Sequence, residues 1–172
     1  MNKLVDNSPE IEITKLQVSE WQFYKALRLR ALKEETKAFA SRYEDQVKHT
    51  DKQWQNRLTT GEYMLFAKLN GQLVGMMVGY IPNSDKDKYT ADIVSVYVVP
   101  EARGKGISKM LMTELLKRLK EGGITKANLT VNKGQLTAVN LYKKFGFETT
   151  GEEESIMSDG LKHIEFLMSK QL

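Results

Sequence analysis

Residues 91–108 read ADIVSVYVVPEARGKGIS, and this stretch decides the fold. Ala91 to Val99 are nearly continuous in β-branched and aromatic side chains and stop at Pro100, the pattern of a buried central strand. Arg103, Gly104, Lys105, Gly106, Ile107 and Ser108 then lead straight into a helix. Its apolar positions Ile107, Met110, Leu111, Leu115, Leu116 and Leu119 recur at spacings of three and four and stop at Gly122 and Gly123. In such a loop the glycines let backbone approach a ligand, the first-turn amides lack intrahelical partners, and the helix dipole adds positive potential. A pyrophosphate suits that site, with Arg103, Lys105 and Lys109 adding charge. The alternative is a glycine-containing turn with a basic surface. A dinucleotide-binding GxGxxG would need a glycine at Lys109, and the GxxxxGK of a nucleotide P-loop is missing.

Working outward, Tyr63 to Leu69 and Leu73 to Tyr80 flank Asn70-Gly71, the dipeptide that most easily supplies positive φ at both turn positions of a hairpin. Upstream, Ile11, Ile13 and Leu16 predict a short strand. A helix follows with Ser19 as N-cap and Trp21, Tyr24, Leu27, Ala31 and Leu32 on its apolar side. Residues 38–59 fit one or two short amphipathic helices, and a polar stretch covers 82–90. Downstream, Ala127, Leu129 and Val131 alternate as a strand, and Leu136 to Phe145 reads as a helix closed by Gly146. Strands are expected around Phe147 and from Leu161 to Met168, with Ser158, Asp159 and Gly160 turning between them. Strand, helix, strand, helix, strand in the second half and a hairpin in the first predict an α/β fold with a mixed sheet.

The 172 residues suit one domain. No apolar run is long enough to span a bilayer, and the N-terminal lysine is not followed by the apolar region of a secretory signal, so a cytoplasmic location with no membrane association is expected. Cysteine is absent, which removes disulfides, thiolate metal ligands and a thiol nucleophile. The only histidines, His49 and His163, lack metal-ligand spacing, so no metal is expected. A net charge of +4 suits an anionic ligand but is too small to argue for nucleic acid.

Two motifs in order carry a resemblance. Arg103, Gly106 and Ser108, preceded by Val98-Val99-Pro100, resemble motif A of the GCN5-related N-acetyltransferases (GNAT), Q/R-x-x-G-x-G/A, with Ser108 in place of the usual small residue. Gln135 to Phe147 is similar to motif B, N-x-x-A-x-x-L-Y-x-x-x-G-F: Ala138, Leu141, Tyr142, Gly146 and Phe147 match, and Gln135 replaces asparagine. The resemblance covers roughly residues 63–168. It implies a mixed, mostly antiparallel twisted sheet flanked by helices, whose fourth and fifth strands form a splayed parallel pair admitting coenzyme A. It further implies transfer of acetyl from acetyl-CoA to a primary amine in a ternary complex. By position, backbone of Val96 and Val98 would bind the pantetheine, Gly104, Lys105, Gly106, Ile107, Ser108 and Lys109 the pyrophosphate, and Gln135 the pantetheine arm. Tyr142 would face the thioester sulfur, and Asp92 stands where many members carry a catalytic glutamate.

Each of these residues has a plainer reading beside it. Tyr142 lies on an apolar helix face, where tyrosines pack as core. Asp92 is a strand-end carboxylate that can be solvated or pair with Lys88. His163, in an alternating strand, is read as structural. Glu34, Glu35, Glu44 and Asp45 fall where the family builds part of its acceptor wall, and equally form a solvated helix face. Two rivals to the enzyme stand: an acyl-CoA-binding sensor acting through a protein partner, and nucleic-acid binding by the basic loop, which lacks an aromatic platform. A homodimer through a C-terminal edge strand remains open.

Overall fold

The computed structural model describes residues 9–82 and 88–172. Residues 1–8 of the stretch read for a leader and 83–87 of the polar stretch lie outside the described residues.

Strands β1 (Ile11–Thr14), β2 (Tyr63–Leu69), β3 (Gln72–Tyr80), β4 (Thr90–Val98), β5 (Lys126–Asn132), β6 (Glu148–Ile156) and β7 (Lys162–Gln171) form one sheet in the order β1-β2-β3-β4-β5-β7-β6. Every neighbouring pair is antiparallel except β4 with β5. That parallel pair needs a long crossover, supplied by helix α4 (Ile107–Glu121). The fold class therefore agrees with the sequence expectation.

Local chemistry explains the elements. Asn70 and Gly71 both take positive φ, 49° and 80°, so the β2–β3 hairpin turns where the dipeptide predicted. Helix α1 (Trp21–Glu34) buries Tyr24, Leu27, Ala31 and Leu32. Its entry differs from expectation, because Ser19 is not the cap. The chain enters through a 3-10 turn over Val18–Glu20. There the Glu20 carboxylate accepts the Gln17 amide at 2.8 Å while also meeting Lys68 Nζ at 3.1 Å. That contact at Gln17 starts the helical segment before Ser19 and leaves Ser19 inside the 3-10 turn instead of at its cap. The region of one or two helices holds α2 (Tyr43–Gln46) and α3 (Asp51–Thr60). α3 opens on a reciprocal cap in which the Gln53 amide donates to Thr50 Oγ1 and the Thr50 amide to Gln53 Oε1.

The core has two sides. Helices α1 and α3 enclose Trp54, fully buried and edge-on to Tyr24 at 5.5 Å. On the other face, α4 lays Ile107, Leu111, Leu115 and Leu119 on the sheet. The fit is close: a Cβ at Gly79 of β3 would meet Leu115 and Leu119 at 3.2 Å. Helix α5 (Leu136–Lys144) precedes Gly146, whose φ of 82° lets the Phe147 amide return to the Tyr142 carbonyl at 3.1 Å. The sheet ends in β6, an edge strand that carries Glu152, Glu153 and Glu154.

Candidate active site

Strand β4 changes character along its length. From Thr90 to Ile93 it pairs with Lys126 to Leu129 of β5, and Asp92 and Ile93 pair also with Tyr80 and Gly79 of β3. Beyond Ile93 its pairing with β5 stops, and β5 continues against β7 alone. The divergence begins beside a bulge. Ser95 takes φ 57°, rare for a side-chain-bearing residue, and the β3–β4 register shifts between Met76 and Val78. The Val99 amide donates to Val74 of β3. By strand alternation, Val98 and Val96 present their backbone groups to the open edge. The Val98 carbonyl there is taken by Arg103 Nε at 2.9 Å, and Arg103 Nη2 meets Glu35 at 2.6 Å. The guanidinium expected among the phosphate charges is thus spent on bracing β4 against the end of α1.

The loop that follows points its backbone outward. Gly104 and Gly106 adopt φ of 76° and 78°, and a Cβ at either would meet nothing within 4 Å. Gly106 is the N-cap of α4 and no side chain caps the helix, so the first-turn amides of Ile107, Ser108 and Lys109 are left for a ligand. Lys105 and Lys109 are exposed and form no ion pair among the described residues. Ile107 is buried under the helix and Ser108 half-buried.

Tyr142 is 5% exposed and stands edge-on to Phe147, and its hydroxyl has no hydrogen-bond partner among the described residues. Burial pushes the phenol up to about 12, so it stays protonated at neutral pH. Gln135, half-buried, precedes α5, and its amide donates to the Asn132 carbonyl at the end of β5.

The opposite face of the sheet carries the remaining candidates. Ile93 pairs with Gly79, which faces α4, so Asp92, paired with Tyr80 and Asn128, faces away from that helix. Asp92 is half-buried and has no ion pair among the described residues, so the Lys88 alternative is not realised. On this face a cleft of about 390 Å³ is lined by Glu34, Glu35, Thr36 and Lys37 after α1, Asn132, Gly134 and Gln135 after β5, and His163 of β7. Asp92 does not line it. Glu34 accepts the Tyr97 hydroxyl and Arg30, two bonds that hold its carboxyl below the usual range. Glu44 and Asp45 are exposed on α2, outside the cleft.

Sequence reasoning missed three features here. One is the Ser95 bulge. Another is Arg28, buried within α1, which donates to Gln46 and to Ser95 and lies over the Phe39 ring at 4.7 Å. Burial lowers its pKa to about 10, and an arginine inside the stripe of Tyr24, Leu27 and Ala31 was the available signal. The third is that His163 belongs to the cleft. Among the described residues, no group of three or more His, Asp or Glu side chains is arranged for a metal.

The uncapped helix after β4 and the one-sided second half of β4 fall within residues 26–147, the span matched by the family model described as Acetyltransferase (GNAT) family. The chain belongs to the GNAT family. Its relatives include an acetyltransferase of Yersinia pestis (strain Pestoides F), 31% identical over 88 residues, which are 51% of this chain and 59% of that protein. The chain thus spans about three fifths of the length of the curated relatives it matches. Among solved structures, a GNAT-family acetyltransferase from Streptococcus pneumoniae superposes with a TM-score of 0.82 at 22% identity, covering 95% of this chain and 100% of that one. The putative acetyltransferase yncA from Salmonella typhimurium, solved with acetyl-CoA, gives 0.79 at 18% identity over 95% and 94%. At such identities these likenesses establish the GNAT fold.

Proposed function

We propose that this GNAT protein transfers acetyl from acetyl-CoA to a primary amine by direct attack within a ternary complex. The observation that carries the reading is the convergence at one end of β4 of two sets of backbone groups free of strand or helix partners, those of Val96 with the Val98 amide on the open edge and the amides of Ile107, Ser108 and Lys109 at the start of α4. A diphosphate bearing a long amide-containing arm is chemistry that fits both at once. The exposed Lys105 and Lys109 ammonium groups add charge for the diphosphate, Gly104 and Gly106 keep the approach clear, and Gln135 offers its amide to the arm. Arg103 contributes indirectly, holding the Val98 carbonyl so that β4 keeps its open-edge shape.

A thioester is already activated, so the protein must deliver a neutral amine and accommodate the departing thiolate. Freeing a lysine-like amine of pKa about 10.4 at pH 7 costs roughly 4 to 5 kcal/mol. Tyr142 supports the other half of the reaction. With its phenol pushed up to about 12 and a thiol near about 8.5, full proton transfer to the thiolate is unfavourable. Tyr142 therefore acts as a hydrogen-bond donor to the sulfur. A Val96 or Val98 amide polarises the thioester carbonyl. Asp92, lying outside the cleft, draws a cationic acceptor to this face by its charge. With no cysteine in the chain, an acyl-thiol enzyme is excluded.

The test is a thiol-release screen of acetyl-CoA against polyamines, amino acids, aminoglycosides and peptide amines, paired with calorimetry of coenzyme A. Amine-dependent thiol release is expected. Tight coenzyme A binding with no thiol from any amine would favour a binding-only protein, and no heat of binding would remove the reading altogether.

A further inference from the structure

The cleft contains a side-chain pair that no step above uses. His163 Nε2 and Asp159 Oδ2 lie 2.8 Å apart, with side chains only 17% and 16% exposed. The β6–β7 turn is built to hold that carboxylate still. Asp159 Oδ1 accepts the Leu161 amide at 2.9 Å, and the Asp159 amide donates to the Thr36 carbonyl. The neighbouring Ser158 ties its hydroxyl to Thr36 and its amide to Phe39. The Leu161 amide first, then the imidazole itself and Lys37, hold the Asp159 carboxyl below the usual range against some desolvation, so it is ionised at neutral pH. An ionised carboxylate on Nε2 fixes the tautomer with its proton there and leaves Nδ1 as an acceptor.

The position of the ring matters as much as its partner. His163 shares the cleft with Asn132, Gly134 and Gln135, which follow the free end of β5, and with Glu34, whose carboxylate accepts the hydroxyl of Tyr97 on the free half of β4. The cleft therefore bridges the two strands where they part, on the face away from α4. Facing the ring are Asp159 in the turn, Lys37 after α1, and Glu34 and Glu35 across the cleft. Glu165 lies two residues along the same face of β7, and Ser155 and Glu153 stand opposite on β6. Carboxylates outnumber the one lysine, an environment that favours a cationic acceptor.

We propose that His163 is the general base of the acceptor site and Asp159 its positioning residue, an inference that rests on the acetyl-transfer reading above. The ammonium of the acceptor gives one proton to His163 Nδ1, and Asp159 balances the imidazolium. The freed lone pair forms the N–C bond as the C–S bond breaks. The second amine proton goes to the departing thiolate, giving amide and thiol, and His163 returns its proton to water. His163 lines the cleft and Asp92 does not, which favours His163 over Asp92 as the direct base.

The experiment compares His163→Gln, Asp159→Asn and Asp159→Glu with the unaltered protein, using acetyl-CoA and the best amine of the screen, over a pH series. His163→Gln is expected to lower kcat/KM by about a hundredfold near neutral pH. The acid limb should vanish, and the deficit should shrink toward alkaline pH as free amine accumulates. Asp159→Asn should lose activity with the same pH dependence, and Asp159→Glu should restore part of it. Unchanged coenzyme A binding by calorimetry shows that a variant is folded. Should His163→Gln fail that check, diethyl pyrocarbonate is applied to a His49→Gln protein, in which His163 is the only histidine. Inactivation is then expected, and acceptor amine should protect. A loss below about threefold, a loss equal at every pH, or full activity after modification overturns the assignment while leaving acetyl transfer intact. Unaltered protein that releases no thiol from any amine overturns both.

Discussion

The two halves of β4 differ in what lies beside them. Thr90 to Ile93 pair with β5, Asp92 and Ile93 pair with β3 as well, and Ala91 and Ile93 are buried. Val94 to Val98 keep only β3, and Val94 is 42% exposed. Two kinds of sequence serve these halves. The paired half is held by apolar burial, which tolerates many residues of the right size. The open half adds particular polar contacts, Arg28 to Ser95, Arg103 to the Val98 carbonyl and Tyr97 to Glu34, which hold its shape while leaving most of its edge without a strand partner. Stability and function are thus partly separable within one strand.

Substitutions can break that separation or sharpen it. The largest effect is expected at Trp54, which underlies the closed part of the core. Trp54→Ala should cost about 3–5 kcal/mol of unfolding free energy in a denaturant titration, abolishing activity only by unfolding. Tyr142→Phe should do the reverse, lowering kcat by about a hundredfold with coenzyme A affinity kept within a few-fold. A parallel loss of Tm would return Tyr142 to the core. Burial of its phenol also predicts that no alkaline limb below about pH 12 belongs to Tyr142. Gly106→Ala should weaken coenzyme A binding by roughly tenfold through about 1–2 kcal/mol of left-handed backbone strain, since its Cβ would meet open space. Calorimetry measures it directly. The smallest effect lies outside both halves. Arg30 holds the Glu101 carboxyl at about 2 and helps to hold Glu34 low. Depressed folded values mean that this contribution is present above the ordinary range near 4.5 and lost as pH falls toward about 2. Arg30→Met should therefore leave Tm nearly unchanged at pH 2 and lower it slightly at pH 6, flattening the Tm profile.

What could be read from sequence follows the range of the interactions. The hairpin at Asn70-Gly71, helix α4 and the strand–loop–helix passage at Gly106 are local, and periodicity or turn chemistry announces each within about ten residues. Ser95 carries no such signal, because its positive φ is imposed by register against β3 and by a bond from Arg28, 67 positions away. Ser19 failed as a cap for a similar reason: Lys68 of β2 helps to place the Glu20 carboxylate. In the site, the uncapped start of α4 and the place of Tyr142 on α5 were marked by two short motifs. Of the cleft wall, Glu34, Glu35 and Gln135 were singled out and His163 was not, since the wall joins segments near residues 35, 133 and 163 that meet only when the sheet closes.

The segment after α1 is fastened largely through its main chain. Lys37 gives its carbonyl to Asn132, Thr36 to Ser158 and Asp159, and Phe39 to Ser158. Because peptide groups supply those anchors, the Thr36 and Lys37 side chains can be exchanged with little penalty to the scaffold. The lining of the cleft can therefore be varied by one or two codon changes in this segment while β4 and α4 are inherited intact.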